Sequence, residues 1–235
     1  MTPAMIGRER QTRPGLRLLP PIGLFLGLLF LTGTTRSQPK LDAAHTRPAE
    51  LVELTTFDPT LRLDIRYATK NNFMKRPMYK EARAFLQRPA AEALVRVQRS
   101  LRAKGFGLLI FDGYRPWTVT KQFWDETPPE KHNFVANPKL GSKHNRGCAV
   151  DLSLLNLRTD KEIVMPSPYD DFTKKASPDY RGGTRAQRKM RDMLRVAMSR
   201  EGFTVDPGEW WHFDYKDWKA YEILDIPFEE VPQPK

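Results

Sequence analysis

Two amphipathic helical stripes and three short strand-length runs rich in apolar residues, arranged in irregular order, constrain this chain more than any other feature of its sequence. The first stripe starts at Pro89 and runs through Ala90, Ala93, Leu94, Val97 and Leu101, with Gly105 closing it. Proline in the first helical turn and glycine just past the last are the expected asymmetry. The second starts at Thr184, where Gln187 three residues on completes a capping box. It continues through Ala186, Met190, Met193, Leu194, Ala197 and Met198 to Gly202. Between and after the stripes lie Phe106–Phe111, Cys148–Leu155 and Trp210–Tyr215, each of strand length. Leu61–Tyr67 alternates apolar and polar residues and also reads as a strand, as does Phe203–Val205, while Trp117–Glu126 suits a brief helix. Pro128–Ser142 is polar, contains Pro and Gly, and reads as a loop. Without Gly-rich phosphate loops, repeated βαβ units or internal repeats, the pattern is that of one α+β domain.

Residues 1–37 read as an address rather than as part of that domain. Arg8, Arg10, Arg13 and Arg17 precede the apolar run Ile22–Leu31, and the small residues Thr35 and Ser37 follow. This is the pattern of a secretory signal peptide with cleavage near Ser37. A run of about ten apolar residues is too short to span a hydrocarbon core of about 30 Å. Residues 38–50 form a polar lead-in, and residues 51–235 one compact domain. The mature protein is therefore expected outside the cytoplasm, periplasmic or extracellular, with no stable membrane span.

The net charge of the 235 residues is +11, of which +4 belongs to residues 1–37 and +7 to the remainder. That +7 is scattered and accompanies no nucleic-acid-binding motif, so no nucleic acid partner is expected. It would favour association with anionic polymers. A single cysteine, Cys148, excludes an intrachain disulfide framework and a Cys-rich zinc module. Any metal must then be held by His and carboxylates.

Two segments offer that chemistry. Ser142-Lys143-His144-Asn145-Arg146-Gly147-Cys148-Ala149-Val150-Asp151 and Glu209-Trp210-Trp211-His212 hold two of the four histidines and two acids. Catalytic zinc keeps three His or carboxylate ligands and one position for water, and a nearby carboxylate can take that water's proton. His144, Asp151 and His212 could be the ligands and Glu209 the base. Each motif alone equally suits a structural histidine. Glu209 and His212 share a face if their segment is helical or bent and oppose one another in an ideal strand. For Arg115, the residues alone favour an ion pair with Asp112.

Ser-x-His-x-x-Gly-x-Ala-x-Asp followed by Glu-Trp-Trp-His resembles the VanX-type D-alanyl-D-alanine dipeptidases, zinc peptidases of the M15 D,D-peptidase family. Three further segments match that family in order: Asp64–Thr69 with Asn72-Phe73, Gly107–Pro116 (GLLIFDGYRP) and Met165–Phe172 (MPSPYDDF). The resemblance implies an α+β fold with a central antiparallel sheet flanked by helices and zinc in a groove on the sheet. It implies one Zn2+ bound by His144, Asp151 and His212, with Glu209 as general base and Arg115 beside the scissile carbonyl. Tyr67, Ser142 and Asp170 are placed around the amino end of a small D,D-dipeptide. The stretch between Arg115 and His144 is expected to help roof the pocket. A carboxypeptidase of the same family, and a wall-binding module without catalysis, remain alternatives at this stage; Glu209 argues against the second.

Overall fold

Strand β4 (Phe106–Asp112) and strand β5 (Ala149–Asn156) are buried almost end to end, and the rest of the domain is organised around their antiparallel pairing. The computed structural model describes residues 47–232. The signal segment and residues 38–46 of the lead-in lie outside the described residues, which form one compact unit.

The chain enters through β1 (Leu51–Glu53), the single turn α1 (Leu54–Phe57) and β2 (Arg62–Leu63), then reaches β3 (Phe85–Gln87) and α2 (Arg88–Arg102). After β4 come α3 (Trp117–Glu126), β5, β6 (Lys161–Glu162), α4 (Arg185–Arg200), β7 (Phe203–Val205) and β8 (His212–Tyr215). The main sheet runs β2-β4-β5-β8-β7 with β6 added beside β5, and β1 pairs with β3 in a separate two-stranded ribbon. The expected central sheet is present and antiparallel, except at one edge, where β2 runs parallel to β4. Helices α2 and α4 pack together on the sheet, α2 against β4 and α4 against β5 and β7.

The stripe of α2 explains its docking, since Ala90, Ala93, Leu94, Val97 and Leu101 are all fully buried. Gln98 on the same face is a buried polar group with its partners supplied. Its Oε1 accepts from the Leu108 N–H at 2.8 Å and its Nε2 donates to the Thr60 carbonyl at 2.9 Å, which ties the helix to β4. Helix α4 begins with the expected capping box, Thr184 with Gln187. Of its stripe Leu194, Ala197 and Met198 are buried, whereas Ala186 is exposed in the first turn.

The Leu61–Tyr67 expectation needs correction. Only Arg62–Leu63 pair as a strand, and Arg66–Ala68 form a 3-10 turn instead. The Tyr67 carbonyl accepts from the N–H groups of Met78 and Tyr79 rather than from a neighbouring strand. The Asn72 side chain donates to the carbonyls of Arg66, Thr69 and Arg76, holding the turn closed.

One irregularity matters for the site. The β4–β5 register shifts between Ile110 and Asp112, and this bulge brings Asp112 opposite Asp151. Asp151 in turn lies opposite His212 on β8. Asp112, Asp151 and His212 therefore form a row across the three central strands.

Candidate metal centre and its cavity

His144 lies on a 3-10 turn, His144–Arg146, between the Pro128–Ser142 segment and β5. Gly147 ends that turn at φ +66°, and a Cβ there would come within 2.5 Å of Leu51. Only glycine fits both the left-handed backbone and the close approach. The chain then enters β5, and Asp151 follows at its third residue. His212 opens β8 after a bend in which its N–H donates to the Glu209 carbonyl at 3.2 Å. That bend resolves the alternatives left by the sequence, because it brings Glu209 back toward His212, with Oε2 3.9 Å from Nδ1. Trp210 and Trp211 anchor it. Both are 1% exposed, and the Trp210 indole donates to Ser167 Oγ at 3.0 Å.

Three ligand-type atoms converge on one point. His144 Nε2 is 3.1 Å from His212 Nδ1 and 3.3 Å from Asp151 Oδ1, and His212 Nδ1 is 3.0 Å from Asp151 Oδ1. Tetrahedral bonds of about 2.0 Å would set such edges at about 3.3 Å. Asp151 Oδ1 is buried without a hydrogen-bond partner among the described residues, although its neighbour Oδ2 accepts from Tyr169 Oη at 3.0 Å. A buried carboxylate oxygen left so is costly unless a cation completes it. The histidine tautomers agree. His144 Nδ1–H donates to the Gly113 carbonyl at 2.7 Å and His212 Nε2–H to Asp214 Oδ1 at 2.9 Å. Both lone pairs that remain point at the same place. Two imidazoles, one carboxylate and an outer partner for each are a donor set that fits zinc.

The acids and imidazoles of the centre act strongly on one another. Burial opposes the charge on Asp151, but His144 and His212 outweigh it and hold its carboxyl well below the usual range. Burial also opposes a charged His212, yet Asp151 and Asp214 push its pKa well above the ordinary value. Glu209 is pushed up to about 7, chiefly by burial and with Asp151 adding to it, against the pull of His212. Asp170 is raised well above a normal carboxylate by burial and by Asp151 and Glu209.

All eight residues singled out from the sequence line one cavity of about 280 Å³. Tyr67 Oη lies 3.2 Å from both carboxylate oxygens of Asp170 and donates to them, and Ser142 Oγ accepts from the His144 N–H at 3.2 Å. The cavity carries four carboxylates, Asp151, Asp170, Asp206 and Glu209, against Arg115 and Lys143. Such an excess suits a ligand set of one dication and one ammonium. Asn133–Ala136 contribute to the opposite wall, where the Phe134 and Phe172 rings stack at 4.8 Å, so the Pro128–Ser142 segment does roof the pocket. Within that segment Pro129–Phe134 forms a 3-10 helix.

Arg115 makes the ion pair with Asp112 that the residues alone favoured, and it also lines the cavity beside the metal ligands. Its Nε and Nη2 donate to Asp112 Oδ2 at 3.0 and 2.7 Å, and its guanidinium lies over Phe123 and Tyr67, at 4.8 and 5.3 Å from their centroids. Asp112 is itself held by Tyr79 Oη and the Gly113 N–H. The ion pair therefore holds the guanidinium in place, with Nη2 also 4.0 Å from Asp151 Oδ2. Tyr79, Tyr169, Gly113 and Asp214 escaped the sequence reading. The hints were faint: Tyr169 precedes Asp170 directly, and Asp214 stands two residues after His212, on the same face of a strand. Cys148 is a buried thiol whose pKa burial raises to about 12, consistent with a packing role.

Comparison with known proteins adds the family. A family model described as D-ala-D-ala dipeptidase matches residues 47–233. The D-alanyl-D-alanine dipeptidase of Escherichia coli is 29% identical over 179 residues, covering 76% of this chain and 91% of the relative. That of Enterococcus faecalis is 30% identical, covering 73% and 90% respectively. That of Streptomyces coelicolor is 32% identical, covering 67% and 87%.

Proposed function

This chain belongs to the D-ala-D-ala dipeptidase family of zinc metallopeptidases, and we propose that it is an exported enzyme that hydrolyses D-alanyl-D-alanine to two D-alanines. The observation that carries this reading is the convergence of His144, Asp151 and His212 within one cavity that also holds Glu209 and Asp170.

Zinc held by His144 Nε2, Asp151 Oδ1 and His212 Nδ1 would supply Lewis acidity, making a water nucleophilic near neutral pH and polarising the scissile carbonyl. Glu209 takes the proton of the attacking water and delivers it to the leaving amine as the peptide C–N bond breaks. A carboxyl whose pKa lies near 7 can both accept and return that proton. Arg115 offers its guanidinium to the carbonyl oxygen. Its interaction strengthens as negative charge builds there, which favours the transition state over the bound substrate. Asp170 receives the substrate's ammonium, and the hydroxyl oxygens of Tyr67 and Ser142 accept alongside it.

Export rests on the basic and apolar pattern of residues 8–37, and the +7 beyond it supports loose association with anionic wall polymers. Fractionation of cells expressing the full chain should recover it outside the cytoplasm, and raising ionic strength should release it from isolated walls. The activity is tested on the chain from Gln38 onward. Chelator-sensitive release of D-Ala from D-Ala-D-Ala is expected. Release from an N-acylated D-Ala-D-Ala peptide at equal or greater rate would make the enzyme a carboxypeptidase instead. No release from either, with zinc bound, would overturn the reading.

A further inference from the structure

The two histidines of the centre are held by unlike partners. His144 donates its Nδ1–H to a neutral acceptor, the Gly113 carbonyl. His212 donates its Nε2–H to the carboxylate of Asp214, at 2.9 Å. Asp214 is not left to that contact alone. Its other oxygen, Oδ2, is 3.0 Å from Lys143 Nζ, and the side chains of Asp214 and Lys143 are 14% and 34% exposed. The lysine ammonium also lies 5.6 Å from the centroid of the Trp218 ring, which restricts where its flexible stem can go.

The positions of these residues in the chain give the contact its meaning. Lys143 immediately precedes His144 and caps the 3-10 turn that carries it. Its carbonyl accepts from the Cys148 N–H as the chain enters β5. Asp214 lies on β8, two residues after His212 and on the same face, opposite Ala149 of β5 and Thr204 of β7. One ion pair therefore links the turn bearing the first histidine to the strand bearing the second.

We infer that Asp214 is a positioning residue for the metal centre and that Lys143 acts through it, the pair together setting how tightly this chain holds zinc. Asp214 fixes His212 in the tautomer with its Nδ1 lone pair free, and its negative charge makes that lone pair a stronger donor. Lys143 holds the carboxylate in place and clamps the two ligand-bearing segments against each other. The inference rests on the proposed zinc site but not on the identity of the substrate.

The test reads zinc affinity by competition with a chromophoric chelator, on the chain from Gln38 onward, beside the thermal midpoint of the metal-free protein. Asp214→Asn should weaken zinc binding about 10–100-fold, with the metal-free midpoint nearly unchanged. Asp214→Glu should recover part of the loss. Lys143→Met should weaken binding by less, and the double variant should be no worse than Asp214→Asn alone, because the lysine acts only through the aspartate. Zinc affinity of Asp214→Asn within twofold of the parent would overturn the inference. So would additive losses in the double variant. Lys143→Met that raised KM for D-Ala-D-Ala while leaving zinc affinity untouched would also overturn it, making Lys143 a substrate contact. If the parent binds zinc tightly but fails to cleave D-Ala-D-Ala, the substrate reading falls while this one stands.

Discussion

The two walls of the cavity are made of different materials. The metal-facing wall consists of β5, β8 and the turn leading into β5, and its three ligands His144, Asp151 and His212 are all buried. Strand register sets it: Asp151 faces His212 across the ladder, so one ligand places the other. The opposite wall comes from irregular segments that carry Tyr67, Phe73, Phe134, Asp170 and Phe172. Its order comes from side chains, through the Phe134–Phe172 stack, the edge of Phe73 against Phe123 and the Tyr67–Asp170 contacts. Asp170 even adopts φ +57°, a left-handed conformation that aspartate tolerates better than most residues. On the proposed function, the metal ligands are placed by the sheet and the turn beside it, and recognition of the amino end falls to the irregular segments. Changes to the first wall should therefore strike turnover, and changes to the second should strike substrate choice.

The largest effect expected is from the metal itself. Chelation, or His144→Ala, should abolish measurable hydrolysis while far-UV circular dichroism stays native. Activity surviving complete zinc removal would break the comparison at its stronger end. Glu209→Gln should come next, lowering kcat by about 10²–10⁴ with zinc content unchanged. Arg115→Lys keeps a charge beside Asp112 but loses the forked geometry, and should cost about 10²–10³ in kcat. Truncation to alanine would be a poorer test, since it would strand the buried Asp112 carboxylate at a cost of about 3–5 kcal/mol in stability. On the recognition wall, Asp170→Asn should lower kcat/KM for the free dipeptide roughly tenfold to a hundredfold, about 1.5–3 kcal/mol. It should leave zinc affinity alone. Phe134→Ala should do least, a few-fold in KM, in line with about 0.5–1.5 kcal/mol for an aromatic pair.

The pH profile sharpens the same contrast. Glu209 must be ionised to accept a proton, and burial raises its pKa to about 7. A bound dication pulls that value down, so kcat/KM should fall as pH drops through an apparent pKa at or below about 7. Glu209→Gln should lose that acidic limb. A limb that persists unchanged in the variant would assign it to another group.

The same contrast explains what was legible in the sequence. Trp117–Glu126 is helical over the residues its composition suggested, and the capping box of Thr184 and Gln187 forms as written. Cys148–Leu155 is a strand within one residue at each end. These are local signals, and the metal ligands belong to them because each lies on or beside a regular strand. Leu61–Tyr67 misled because its alternation suits a strand, while the hydrogen bonds that decide the matter come from Asn72, Met78 and Tyr79. The ribbon of β1 and β3 pairs residues more than thirty positions apart and left no local trace. Arg115 shows the limit most plainly. Its sequence neighbour Asp112 suggested a structural pair, and the pair exists, but that this pair also turns the guanidinium toward the metal ligands depends on the bulge in β4.

The central claim is that a metal-bearing wall performs hydrolysis while the loop wall demands a free amino end. The measurement that tests it most directly is the ratio of kcat/KM for D-Ala-D-Ala to that for its N-acetyl derivative, on zinc-loaded protein. Acetylation removes the ammonium and leaves Asp170 without its partner, which typically costs about 2–5 kcal/mol, roughly thirtyfold to several thousandfold in this ratio. A ratio of that size, falling toward unity in Asp170→Asn, is the predicted result. A ratio near or below one in the parent enzyme would contradict the account.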